Sequence, residues 1–197
     1  MSNKRLAYHF VFEFAVFFFG LGIFMVPSII PFNWWIVPIV STLLFLAEQR
    51  RSTRSNVKIA LIVGLFLMSF DFAFENIGTL LFGSWGTIGS SLFILAVPIE
   101  VMITCFLGGA AWALYVMSVY PLFQSKFKSH FNGHLASYSI LLDILFFGIG
   151  GATAEWCLIQ RGVMYYARGW TSIHAFVSYS GMWALLHILL HALTRRK

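Results

Sequence analysis

The sequence predicts an all-α fold, a polytopic membrane helix bundle of about six transmembrane helices in a single domain over residues 1–197. Three observations predict it. Only 10% of the residues are charged and 59% are hydrophobic, whereas a soluble domain carries about 25% charged residues. Apolar runs of about 20 residues, the length a helix needs to cross a bilayer, recur along the whole chain. Basic residues gather between alternate runs, as they do in membrane proteins of defined topology.

The first run, about 7–27, follows Lys4 and Arg5 and mimics a signal peptide. It continues past Phe19 to Val26, contains Glu13 and shows no small-residue cleavage site, so it reads as a retained helix. The second, 32–48, is short and carries Pro38, which predicts a tilt, a kink or an earlier start. The third covers 58–82. The fourth, 91–117, contains Pro98, which would bend it and free the carbonyl of Ile94. A loop follows from Tyr120 to His134, and the last two spans cover 136–159 and 171–193. Gly108, Gly109, Ala110 and Ala111 on the fourth span, with Gly148, Gly150, Gly151 and Ala152 on the fifth, read as close helix packing.

Orientation follows from Lys and Arg. Eleven of the thirteen fall at the chain ends or between the second and third and the fourth and fifth spans; only Arg161 and Arg168 fall on the other side. That predicts a protein of the plasma membrane with both termini cytoplasmic. Trp34, Trp35, Trp85, Tyr165, Tyr166 and Trp170 would form an outer aromatic belt.

Composition also excludes function classes. The pI of 9.6 reflects basic residues at helix ends, which suits the lipid bilayer rather than nucleic acid. Cys105 and Cys157 lie inside apolar spans without paired spacing, so neither a disulfide nor a zinc site is indicated. No glycine-rich phosphate or dinucleotide motif is visible, and no cofactor is expected. The sequence leaves open whether the chain assembles as a homo- or a hetero-oligomer.

The informative residues are the acids. Glu48 ends a span beside arginines, but Glu13, Asp71, Glu75, Glu100, Asp143 and Glu155 all lie within spans. A charged Asp at a helix centre costs roughly 2.5–3.5 kcal/mol on the insertion scale. No Lys or Arg stands inside a span to offset it. Burial without a cation favours the neutral carboxyl, which can then act as a general acid. Counting along the helices places Asp71, Glu75, Glu100 and Glu155 at or outside the midplane, where they could face one cavity. Asp143, Glu13, His187 and His191 would make a second, inner cluster. The His187/His191 pair, four apart, could hold a metal or haem, but the spacing alone is a weak signal, a snorkelling or hydrogen-bonded pair is the preferred reading, and no metal is expected.

The stretch Asp71 to Tyr115 reads DFAFENIGTLLFGSWGTIGSSLFILAVPIEVMITCFLGGAAWALY. It resembles the small integral-membrane carotenoid-modifying proteins, namely the lycopene cyclase domain of the heterodimeric type and the related carotenoid hydratases. In that family an acid-bearing helix is followed by a Trp/Gly turn and a helix opening with Pro-x-Glu, usually Pro-x-Glu-Glu. Asp71, Glu75, Trp85 and Pro98-Ile99-Glu100 fall on that arrangement, with Val101 at the position of the second Glu. The later GGATAEWCLIQRGVMYYARGW is similar to the family's acid–Gly–aromatic turn. The resemblance implies an isomerase or lyase acting on an apolar isoprenoid or carotenoid by acid-initiated cyclisation, hydration or isomerisation. Glu100 would donate the proton, Asp71 and Glu75 would stabilise the cation or take up a proton, and Glu155 would be a secondary member. Trp85 and Pro98 would line the substrate. Two other readings stand beside it: a proton-coupled transporter using the intramembrane carboxylates, and a structural or accessory subunit whose acids only bridge helices.

Overall fold

The computed structural model describes residues 34–90, 92–127 and 135–195. Helix α1 spans Ile36–Gln49. Pro38 sits in its first turn, where a backbone N–H has no intrahelical acceptor, so the proline is accommodated without breaking the ladder. Helix α2, Arg54–Asn76, starts at Thr53, whose Oγ1 accepts from Asn56 N at 3.3 Å. It continues as a π-helical turn, Ile77–Phe82, closed by Gly83 in the left-handed conformation at φ 59°.

Strand β1 (Trp85–Thr87) follows, then a hairpin of β2 (Phe93–Ile94) and β3 (Val97–Pro98). The remaining elements are α3 (Ile99–Phe127), α4 (Leu135–Gln160), β4 (Met164–Tyr166) and α5 (Ser172–Thr194). Strand β4 returns to pair antiparallel with β1.

The fold is predominantly helical, and among the described residues four segments are long and apolar enough to cross a membrane: Arg54–Phe82, Ile99–Ser118, Ser139–Gln160 and Ser172–Thr194. Six were expected. The second of those, 32–48, becomes the 14-residue α1, about 21 Å long, which falls short of the roughly 30 Å hydrocarbon core. The run at 7–27 and Glu13 lie outside the described residues.

The fourth span differs at both ends. Residues 92–98 contribute a β-hairpin instead of helix, because Pro98 cannot donate to a helical ladder and α3 starts immediately after it. Pro98 therefore kinks nothing, and Ile94 pairs with Val97 across the hairpin. At the other end α3 runs through Pro121 to Phe127, into the stretch expected to be a loop.

Helices α1, α2 and α3 pack as one group and α4 and α5 as another, with α5 touching α2 across the seam. The core unites Phe45 of α1, Ala60, Val63 and Leu67 of α2, Ala110–Leu114 of α3, and Met182 and Leu186 of α5. Large apolar side chains such as Leu43, Leu65, Leu142, Ile149, Val177 and Ile188 remain exposed on the outside of the helices, where a bilayer would cover them.

The small residues do what their spacing suggests. A Cβ on Gly64 would lie 2.2 Å from the Phe106 carbonyl oxygen, so α2 and α3 meet backbone to backbone. A Cβ on Gly151 would lie 2.5 Å from the Tyr179 ring, which rests directly on α4. Gly64→Ala should therefore force the helices apart and lower the thermal unfolding midpoint in detergent, at an overpacking cost of about 1–3 kcal/mol. Gly181, with open space around it, serves as the comparison: Gly181→Ala should leave the midpoint unchanged or raise it, since Ala is the better helix former. Equal losses in the two variants would contradict the close approach.

Candidate intramembrane acid site

The β1–β4 ribbon organises the site. Trp85 pairs with Tyr166, Gly86 with Tyr165 and Thr87 with Met164. Flanking bonds from Ile88 N to Val163 O (2.8 Å) and from Ala167 N to Ser84 O (2.7 Å) extend the pairing. Directly opposed residues share one face of a ribbon, so Trp85 and Tyr166 project together, towards the helix carboxyls. The bare edge of Gly86 accommodates Tyr165 on the other face; a Cβ there would meet its hydroxyl at 2.6 Å.

Each projected side chain meets an acid. Trp85, only 4% exposed, donates from Nε1 to Glu75 Oε2 at 2.7 Å. Tyr166 donates its hydroxyl to Glu155 Oε2. The other Glu155 oxygen, Oε1, accepts from Tyr179 of α5 at 2.9 Å. The π-helical turn makes room for the indole: a Cβ on Gly78 would fall 1.9 Å from Trp85 Cη2. Above the acids, Trp85 stacks with Phe74 (5.2 Å between ring centroids) and Trp170 (4.3 Å), and Trp170 stacks in turn on His174 (5.2 Å).

Asp71 lies one helical turn below Glu75 on the same face of α2. The Cys105 thiol of α3 hydrogen-bonds to its carboxyl, yet Asp71 Oδ2 is buried without a hydrogen-bond partner among the described residues. Glu75 and Glu155 are both close enough to feel its charge. Three half-buried carboxyls from α2 and α4 thus gather at the seam between the two helix groups. Among the described residues, none of the three is paired with a Lys, Arg or His. Outside the spans, burial and then its bond to Glu155 push the Tyr166 hydroxyl above its ordinary range, so it remains a donor.

Glu100 does not join them. It sits in the first turn of α3, is 1% exposed, and accepts from Ser90 Oγ at 2.7 Å. Cys105 faces Asp71, and five residues separate it from Glu100, which turns Glu100 roughly 140° away around the helix. An acid in a first turn also complements the partial positive charge of that helix end. Pro98 is buried beside it.

The second cluster forms in reduced form. His187 Nε2 lies 2.7 Å from Asp143 Oδ2, and Trp112 Nε1 donates to the same oxygen at 3.0 Å. The Trp112 ring stands edge-on to His187 at 4.9 Å. His191, one turn on, is exposed. Of the expected aromatic belt, only Trp35 and Tyr165 are largely exposed. Trp34 turns inward to donate to Ile88 O at 3.2 Å.

Sequence reasoning missed Tyr179, Cys105, Ser90 and Trp112 as partners of the acids. The one available signal was that every intramembrane acid needs a neutral donor when no cation is present. Compared with family models, curated proteins and solved structures, the chain matches none of them.

Two measurements test this geometry. Trp85→Phe leaves Glu75 Oε2 without its donor and should cost about 1–3 kcal/mol of stability; Gly78→Ala should destabilise comparably by displacing the indole. Thermal unfolding in detergent reads both, and a neutral Trp85→Phe would refute the bond. For Tyr166 the sign is fixed by a raised folded-state value. The stability that its hydroxyl contributes is fully present below the ordinary tyrosine value of 10.0 and declines as the pH rises past it. The difference in unfolding midpoint between wild type and Tyr166→Phe should be constant from neutral pH up to that value and shrink above it.

Proposed function

We propose that the chain is an integral membrane enzyme that protonates a double bond of an apolar isoprenoid or carotenoid, so beginning a cyclisation, hydration or isomerisation. The observation that carries this reading is the buried, unpartnered Asp71 Oδ2 within a group of three carboxyls. Three acids gathered at one seam without a cation cannot all be ionised, so the group retains a proton. An oxygen left without a donor is the place from which such a proton can leave.

The chemistry is balanced without a cofactor. The alkene π electrons take the carboxyl proton to form a C–H bond, leaving a cation on the adjacent carbon and a carboxylate on the protein. The faces of Trp85, Trp170 and Phe74 and the new carboxylate stabilise that cation. The reaction ends by loss of a proton to a neighbouring carboxylate, which restores the double bond elsewhere, or by addition of water. The resemblance of Asp71–Tyr115 to carotenoid-modifying proteins supplies the substrate class. On this reading Asp71 is the donor, Glu75 and Glu155 are the acceptors, and Glu100 positions the start of α3. With both termini cytoplasmic in a plasma membrane, the ribbon lies on the outer side.

Expression in a host that supplies linear polyenes, with chromatography and mass spectrometry of the extracted pigments, tests it. Wild type should yield a new cyclised, hydrated or isomerised product. Asp71→Asn should lower it by about 10²-fold or more, the usual share of a general acid, while Glu100→Gln should keep a measurable fraction. Full product from Asp71→Asn removes the reading. Loss only in Glu100→Gln returns the donor role to Glu100.

One observation favours a second reading, a proton-coupled carrier. The Asp143–His187 pair lies twelve residues from Glu155 along α4, about 18 Å, so titratable groups stand at two depths of one helix pair. Proton flux into liposomes that is abolished by Asp143→Asn, with no polyene product, would select it.

A further inference from the structure

The β2–β3 hairpin is apolar where water-facing hairpins are polar. Its two-residue turn is Leu95-Ala96, and Leu95 adopts φ 57°, a left-handed conformation that hairpin turns normally give to Gly, Asn or Asp. Leu95 is 70% exposed, and Leu92, Phe93 and Ile94 beside it are exposed as well. A leucine in a strained conformation with its side chain outside the protein does nothing for the core.

Part of the hairpin's backbone is bonded internally. Ala96 N donates to Asn76 Oδ1 at 3.1 Å, and Leu92 N to Ser90 Oγ at 3.3 Å. Leu92 O accepts from Ile99 N at 3.0 Å, and Ile94 pairs with Val97. Phe93 is opposite Pro98, which has no N–H to donate. Exposed apolar side chains on a backbone only partly bonded within the protein suit the boundary of the bilayer, where acyl chains begin and polar groups can still reach headgroups and water.

Depth agrees. Through Asn76 the turn is tied to a point six residues before the end of the Arg54–Phe82 span, about 9 Å back along it. From Arg54 to Asn76 is about 33 Å, close to the roughly 30 Å thickness of the hydrocarbon core. The tip therefore comes level with the edge of that core.

We propose that the β2–β3 hairpin is an interfacial anchor that dips Leu95 and its neighbours into the boundary between headgroups and acyl chains. The occupant of this surface is lipid. The inference rests on the membrane reading of the helices and is independent of the enzymatic one.

The test places an environment-sensitive fluorophore on Leu95→Cys in the full chain, reconstituted in phosphatidylcholine liposomes. Ser55→Cys, exposed at the opposite end of α2, is the aqueous reference, and the wild-type chain sets the background from Cys105 and Cys157. The label at 95 should emit to the blue of that at 55, be quenched by lipids bearing a spin label near the headgroup, and resist iodide. Iodide quenching equal to that at 55 overturns the proposal by placing the hairpin in water. Protection from both quenchers also overturns it, by showing that protein covers the tip, either another part of this chain or a second copy. Phe93→Cys provides the same readout should the variant at 95 fail to fold.

Discussion

Desolvated carboxyls without cations are the constraint around which this structure is arranged. An acid inside an apolar bundle must find donors, and the nearest Lys and Arg lie at the helix ends. The chain answers with neutral donors, each brought from a different element. Trp85 and Tyr166 come down from the β1–β4 ribbon, Tyr179 comes across from α5, and Cys105 comes from α3. Satisfying Glu75 and Glu155 thus requires the ribbon to form, and the ribbon joins the loops that follow α2 and α4. Polar satisfaction and topology are one problem, since Trp85 cannot reach Glu75 unless Gly78 is bare and Gly83 turns the chain to the left.

The helix packing serves the same end. Gly64 and Gly109 let α2 and α3 touch, which sets Cys105 beside Asp71. Gly148 and Gly151 let α5 lie on α4, which sets the Tyr179 hydroxyl one turn further along, on Glu155. Within each group the contact is intimate; between the groups it is sparser and runs mainly from α2 to α5. The acids occupy that seam. A seam held by hydrogen bonds, aromatic stacking and a two-stranded ribbon has more freedom to open than one held by interlocked backbones.

Much of this was legible from the amino acids alone. The segments expected at 58–82, 136–159 and 171–193 follow from length and hydropathy, and the one expected at 91–117 does so from Ile99 onward. That Asp71, Glu75 and Glu155 fall at comparable depth follows from counting along helices. Two things were not legible. Rotation about a helix axis is set by packing, so nothing in the sequence said that Cys105 would face Asp71 while Glu100 faced Ser90. Periodicity also failed at 92–98, because a short apolar run reads equally as buried helix or as strand. Pro98 was the available arbiter: as the last strand residue it marks where α3 begins, rather than where a longer helix bends. The pairing of β1 with β4 joins segments some eighty residues apart, and no local signal announces such a partner.

Glu100 and Asp71 are held in different ways. The place of Glu100 at the opening of α3 gives it a helix terminus to complement and a serine to accept from, and both are sufficient reasons for a carboxyl to be buried there. Asp71 has no such sufficiency. It stands in mid-span with the Cys105 thiol on its carboxyl and Oδ2 unanswered among the described residues, near two further acids that each have donors. The two acids thus differ in what local structure supplies: Glu100 has a serine donor and a helix terminus, whereas one Asp71 oxygen has no partner among the described residues.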